Sequence, residues 1–143
     1  MKIEAVRIVK FDAGHRVVNH ESKCRTLHGH EYKAEIYCQA DLGQLDSLGR
    51  VVDFSVIKSE VGGWIDEYLD HNMILFDEDP NLVFIEQCEG LKRPFVIPCN
   101  PTAENLAALI LEKANSLLEQ YHIEVTKIRL WETSNCYVEV SNV

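Results

Sequence analysis

The chain has 143 residues, 46 % of them hydrophobic and 26 % charged, with a formal net charge of −9; that length fits a single domain, 1–143, around one core. The acidic balance excludes broad binding to nucleic acid or to anionic membrane, which needs basic surface, but allows a small anionic substrate held by a few local cations. No run of about 18 apolar residues offers a membrane span.

The first residues, MKIEAVRIVKF, carry charge throughout and lack the apolar core of a signal peptide. Residues 2–13 alternate, with Ile3, Ala5, Val9, Phe11 and Ala13 apolar and Arg7 the exception, as in a half-buried strand. His15 keeps the same parity provided Gly14 makes no bulge. In a second strand Tyr32, Ala34, Ile36, Cys38 and Ala40 point one way, and Glu31, Lys33, Glu35, Tyr37 and Gln39 the other. Alternation places His28 and His30 on the extension of its apolar face, with Gly29 leaving room between them.

Asp53 suits the N-cap of a helix in which Phe54, Ile57, Val61, Trp64, Ile65 and Tyr68 recur at helical spacing. Gly62-Gly63 inside it costs about 1 kcal/mol per glycine relative to alanine, which calls for either a close packing contact or a break. Leu69-Asp70-His71-Asn72 ends the helix. Residues 72–101 read as a long connection, with Val83–Gln87 and Phe95–Pro98 as a small hairpin around Glu89-Gly90. A second helix starts near Asn100-Pro101-Thr102, where proline suits the first turn, with Leu106, Leu109, Ile110, Ala114, Leu117 and Leu118 as its stripe. Thr126, Ile128, Leu130 and Glu132 share one face of a third strand, and Cys136, Val138 and Val140 one face of a fourth. The order ββααββ predicts an α+β fold, a four-stranded antiparallel sheet with two helices on one face. Its open edges call for protection by oligomerisation.

Three histidines at the ends of apolar strand faces suit zinc, and three protein ligands leave the fourth position open, as in catalytic sites. Two readings compete with this: core histidines hydrogen-bonded to backbone, and a closed structural site that adds Cys24. His20 and His122 lie in polar contexts and read as surface residues. Cys24 stands between Lys23 and Arg25, where adjacent positive charge favours thiolate; it is either a base or nucleophile, or an inert loop thiol. The other four cysteines (Cys38, Cys88, Cys99 and Cys136) read as ordinary. All five, odd in number and without short paired spacing, are expected to be reduced in a cytoplasmic protein. Asp70 beside His71 is able to orient its ring or raise its basicity, unless the histidine serves only the helix dipole. Glu132 closes an apolar face and needs a partner: a ligand with two parallel N–H donors, or an arginine of the protein.

Taken together, FDAGHR (11–16), CRTLHGHEY (24–32), VVDF (51–54), LDHNMIL (69–75), PTAENLA (101–107) and WET (131–133) resemble the 6-pyruvoyl-tetrahydropterin and 6-carboxytetrahydropterin synthase family in order and spacing, along nearly the whole chain. The resemblance implies the tunnelling fold, with an oligomeric barrel and active sites between subunits of a homo-oligomer. It implies Zn2+ on His15, His28 and His30. It implies that Cys24, aided by Asp70 and His71, handles a proton of the substrate side chain, and that Glu132 anchors a pterin ring with Thr102 nearby. The substrate it implies is 7,8-dihydroneopterin triphosphate. The C-x-x-x-H-G-H spacing is similar to the bacterial 6-carboxy branch; the 6-pyruvoyl branch has a longer gap, and a branch that makes a folate precursor has glutamate for the cysteine. The implied products are therefore 6-carboxy-5,6,7,8-tetrahydropterin, acetaldehyde and triphosphate, in 7-deazaguanine and queuosine synthesis. The alternatives are the 6-pyruvoyl product without C–C cleavage, or a non-catalytic module that binds a pterin or purine. Lys23, Arg25 and Arg16 are candidate triphosphate contacts. The stretch between LDHNMIL and PTAEN is longer than in compact bacterial members.

Overall fold

The computed structural model describes residues 1–142. Strand β1 (Lys2–His15) and strand β2 (His28–Asp41) pair antiparallel from Lys2↔Asp41 to His15↔His28 without a register shift. Gly14 therefore makes no bulge, and the alternation read from the sequence holds to the last rung. Phe11, Ala13, Tyr32, Ala34, Ile36 and Cys38 are buried on one face.

Asp53 caps the first helix by accepting the Ser55 amide proton. The helix runs as α1 (Phe54–Ile57), one π turn (Lys58–Gly62) and α2 (Gly63–Tyr68). Ile57, Val61, Ile65 and Leu69 are at most 1 % exposed. A row spaced by four residues drifts around a helix of 3.6 residues per turn. The wider π turn, bonded i to i+5, returns that row to the sheet, and Phe54 and Tyr68 are left facing solvent. Neither explanation expected for Gly62-Gly63 applies: the helix continues, a Cβ on Gly63 meets nothing within 4 Å, and one on Gly62 makes an ordinary contact with Val9 at 3.7 Å.

The 72–101 segment departs from expectation. It contributes β3 (Asn72–Phe76) and β4 (Phe95–Ile97), both parallel, added to the far edge of β1. The expected strand at 83–87 is instead a short helix, α3 (Leu82–Ile85). The sheet is thus six-stranded and mixed, in the order β4-β3-β1-β2-β5-β6, rather than four-stranded and antiparallel. Parallel strands covered on both faces read as continuous apolar runs without alternation, which is how Met73-Ile74-Leu75-Phe76 reads. Buried Asn72 ties the segment down: its amide donates to the carbonyls of Tyr68 (2.8 Å) and Arg93 (3.0 Å) and accepts from the Met73 N–H (2.8 Å).

Thr102 caps α4 (Ala103–Leu118) by accepting the Asn105 N–H at 3.2 Å. Pro101 stands just before this cap rather than in the first turn. Leu106, Ala107, Ile110, Leu111, Ala114 and Leu118 bury the helix against the sheet. Asn115 clasps the backbone of Val125 in both directions, at 2.9 Å each way. Strands β5 (Glu124–Thr133) and β6 (Cys136–Ser141) complete the sheet. Among the described residues no helix is long and apolar enough to cross a membrane.

Asn72→Ala leaves two carbonyls and one N–H unpaired in a buried position. Each such group costs about 1–3 kcal/mol, so the urea midpoint is expected to fall with the slope unchanged.

Candidate active site

The paired ends of β1 and β2 bring His15, His28 and His30 together. Their ring centroids lie 4.6 to 5.1 Å apart, and one donor atom from each is within 4.8 Å of the others. His15 Nδ1 donates to the Pro101 carbonyl and His28 Nδ1 to the Thr26 carbonyl, each at 2.6 Å. Those bonds assign the protons to Nδ1, so each Nε2 carries a lone pair, and the two Nε2 atoms face each other at 3.1 Å. Such an arrangement repels unless a cation lies between them. His30 Nε2 is buried without a hydrogen-bond partner.

Burial holds His15 and His30 below the usual histidine range, against the raising effects of the Pro101 carbonyl on His15 and of Glu132 on both. Imidazoles oriented by carbonyls behind them, as His15 and His28 are, together with the unpartnered buried Nε2 of His30, are what a divalent metal requires, so the three residues fit Zn2+. Backbone hydrogen bonds, the competing explanation for core histidines, are present, but they use Nδ1 and leave the ligand nitrogens free. Tyr32, read from the sequence as part of the buried strand face and given no role at the site, stacks on Phe11 at 4.9 Å and packs edge-on against His15 and His30.

Cys24 does not join this cluster among the described residues, so the closed Cys-His-His-His arrangement is not formed. It is half-buried on a 3-10 turn (Lys23–Arg25), and its carbonyl accepts the Val17 N–H at 2.8 Å. Asn100 fixes the same loop, accepting the Val18 N–H at 2.8 Å and donating to the Val18 carbonyl at 3.1 Å. Three consecutive residues thus hold three parts of the site: Asn100 the Cys24 loop, Pro101 the His15 ring and Thr102 the start of α4. His20 is half-buried and accepts the Ser22 N–H at 2.8 Å, so it shapes this loop rather than lying idle on the surface. His122 is exposed, in a left-handed conformation after α4. Burial pushes the Cys38 thiol up to about 12, which suits an inert core cysteine.

Asp70 and His71 form the expected dyad, with His71 Nδ1 donating to the Asp70 carboxylate at 2.9 Å. The other carboxylate oxygen accepts the Asp12 N–H at 2.8 Å, and the His71 N–H donates to the Asp12 carbonyl at 2.6 Å. Burial alone would raise the Asp70 carboxyl, but the Asp12 N–H and His71 outweigh it and hold it below the usual range. His71 has φ +55°, a conformation uncommon outside glycine that concentrates at functional sites. The dyad gathers with the Asp12 carboxylate. Asp12 pairs with Glu31, one rung from the Ala13↔His30 pair, and so projects from the opposite face of the sheet. Gly29 belongs to that opposite face too. It does not space the histidines; with Gly14 it opens a cavity of about 380 Å³ beside His71.

Glu132 reaches the histidines, with Oε1 3.6 Å from His30 Nε2. Both line a cavity of about 600 Å³ between the start of β2 and the β5–β6 turn, which also takes in Lys10, Lys33 and Trp131. Thr102 is not among its lining residues. Arg16 faces the buried Asp79 at 3.4 Å and is committed within the protein, whereas Lys23 and Arg25 are exposed.

A lowered histidine pKa means that the unfolded chain takes up protons first as pH falls from 6.5. The metal-free protein is therefore expected to lose stability below that pH, and His15→Leu to flatten the slope in urea titrations. Zinc added at neutral pH is expected to raise the melting temperature, and His28→Ala to abolish the rise.

Known proteins share this architecture. A sequence model of the family described as 6-pyruvoyl tetrahydropterin synthase matches residues 4–142. The chain is 44 % identical over 140 residues to the 6-carboxy-5,6,7,8-tetrahydropterin synthase of Rickettsia conorii, covering 96 % of this chain and 99 % of that one. It is 33 % identical over 134 residues to the enzyme of the same name from Haemophilus influenzae, covering 90 % and 92 %. Two solved structures share its fold. An uncharacterized protein from Wolinella succinogenes superposes with a TM-score of 0.84 at 23 % identity, over 100 % of this chain and 99 % of that one. The 6-pyruvoyl tetrahydropterin synthase of Caenorhabditis elegans superposes at 0.71 with 18 % identity, over 100 % and 97 %. The fold is accordingly an α+β architecture of the tunnelling type, and the chain belongs to the 6-pyruvoyl tetrahydropterin synthase family.

Proposed function

We propose that the protein converts 7,8-dihydroneopterin triphosphate to 6-carboxy-5,6,7,8-tetrahydropterin, acetaldehyde and triphosphate, in the synthesis of 7-deazaguanines and queuosine. A carboxylate carries two oxygens where the first side-chain carbon of the substrate carries one, so a water is consumed. The observation that carries this reading is the cluster of three imidazoles with Glu132 beside it, 3.6 Å from His30 Nε2. The 6-carboxy product is favoured over the 6-pyruvoyl one by the Cys24 spacing and by relatives at 41 to 44 % identity that bear the 6-carboxy name.

Zn2+ held by His15, His28 and His30 would polarise the side-chain oxygens of the substrate and acidify the neighbouring C–H bonds. Glu132 holds the pterin through parallel N–H bonds and so sets how far the side chain reaches. The Cys24 sulfur takes and returns a side-chain proton, in a loop fixed by Asn100. In the dyad Nδ1 of His71 is committed to Asp70, which leaves Nε2 to exchange a proton with substrate. The dyad lies with Asp12, on the face opposite the imidazoles. That placement supports a homo-oligomer in which one copy supplies the histidine cluster and a second the dyad.

Incubation of metal-loaded protein with dihydroneopterin triphosphate is expected to yield the 6-carboxy pterin by mass spectrometry, with acetaldehyde in equal amount. Cys24→Ala should abolish acetaldehyde release; a pyruvoyl product would instead place the protein with the other branch. When Cys24→Ala and His71→Ala chains are co-assembled, about a quarter of the sites regain both groups if they come from different copies. Mixed oligomers that stay inactive would sink the shared-site reading.

A further inference from the structure

We propose that Lys10 and Lys33 form an anion site for the phosphate chain of the substrate, on the face of the sheet turned away from the helices. This rests on the reading above for the identity of the phosphorylated ligand, but not for the site itself.

Three observations support it. Lys10 and Lys33 are direct register partners. Like charges opposite each other destabilise a strand pair, and the next rung on the same face, Asp12↔Glu31, repeats the arrangement with carboxylates. Diagonal pairing between the two rungs would relieve both, yet among the described residues neither lysine is in an ion pair. Among the described residues neither ammonium group is neutralised by a carboxylate, in a chain of net charge −9.

Both lysines line the 600 Å³ cavity that also holds His30 and Glu132. That cavity opens where the β2–β5 ladder ends, at Lys33↔Trp131. Beyond this rung the gap between β2 and the β5–β6 turn joins the imidazole face to the lysine face. A ligand anchored at Glu132 with reacting carbons at the imidazoles can pass its phosphate end through this gap.

Lys33 is also held in place. Its ammonium lies 4.5 Å from the centre of the Trp131 ring, and the Trp131 indole N–H donates to Glu35. The flexible lysine stem is thus partly ordered before a ligand arrives. Glu31 lines the same cavity, and its carboxylate confines an anion to the lysine end.

The test uses inorganic triphosphate and the metal-loaded protein. Because Lys33 lies on Trp131, binding is expected to change tryptophan fluorescence saturably, and Trp131→Phe to remove the signal although Trp64 remains. The affinity should weaken with added salt. Lys10→Gln and Lys33→Gln should each weaken triphosphate binding on the order of tenfold, with Lys10→Arg retaining most of it. They should raise KM for dihydroneopterin triphosphate by a similar factor, with kcat little changed, and leave inhibition by unphosphorylated dihydroneopterin as it was. Melting temperatures should stay level or rise, since a like-charge pair is relieved. Wild-type binding of triphosphate in both Gln variants would overturn the proposal, as would no binding in wild type. Lysine-dependent triphosphate binding without any turnover of the pterin would leave the anion site standing and reject the proposed reaction.

Discussion

The unbroken register between β1 and β2 is the constraint on which the rest of the structure depends. Fourteen consecutive rungs, from Lys2↔Asp41 to His15↔His28, carry the alternation of the core directly into the three histidines. A shift of one residue at any rung would send the imidazoles of one strand to the other face and dissolve the cluster. The buried rungs Phe11↔Tyr32 and Ala13↔His30 resist that shift, because each rung that slipped would trade an apolar contact for solvent. The packing energy that forms the sheet is therefore also what positions the imidazoles, and no separate device is needed to bring His15 to His28 and His30.

The second organising element is the short run Asn100-Pro101-Thr102. It lies outside the paired strands but binds all the parts around them. The Pro101 carbonyl assigns the His15 tautomer, the Asn100 side chain holds the loop that carries Cys24, and Thr102 starts the helix that covers the core. Pro101 has no N–H to satisfy and a restricted φ, so ordering this run costs less backbone entropy than it would with another residue there. The helix cap and the geometry of the histidine cluster are in this way mechanically joined.

The two faces of the sheet carry different chemistry. The helix-covered face holds the three imidazoles, and burial lowers the proton affinity of His15 and His30. The other face holds the charged rungs at Lys10↔Lys33 and Asp12↔Glu31, with the Asp70–His71 dyad clasped to the edge of β1. Only where β5 stops pairing with β2 does the sheet open between them. At that opening the imidazole cluster and the charged rungs come together without opposing charges being buried in one core.

Much of this could be read from the sequence. Alternation located both long strands and put His15, His28 and His30 on their apolar face, because side-chain direction in a strand follows from parity alone. Capping chemistry located Asp53, because an N-cap is a local hydrogen bond; proline marked the start of α4 only to within a residue or two, and its cap proved to be Thr102. The tertiary structure alone decided the rest. The sequence marked a strand at 95–98 and an apolar run at 73–76, but not their parallel pairing, since the hydrogen bonds of β3 and β4 go to β1 and to each other across many residues. The π turn answers the curvature of the sheet beneath it. The separation of the dyad from the imidazoles depends on which face of β1 the Asp70–His71 corner meets, and Arg16 is committed by an aspartate 63 positions along the chain. Sequence determines what is periodic or adjacent; which distant groups meet, and on which side of the sheet, is settled only when the packed core fixes the strand order.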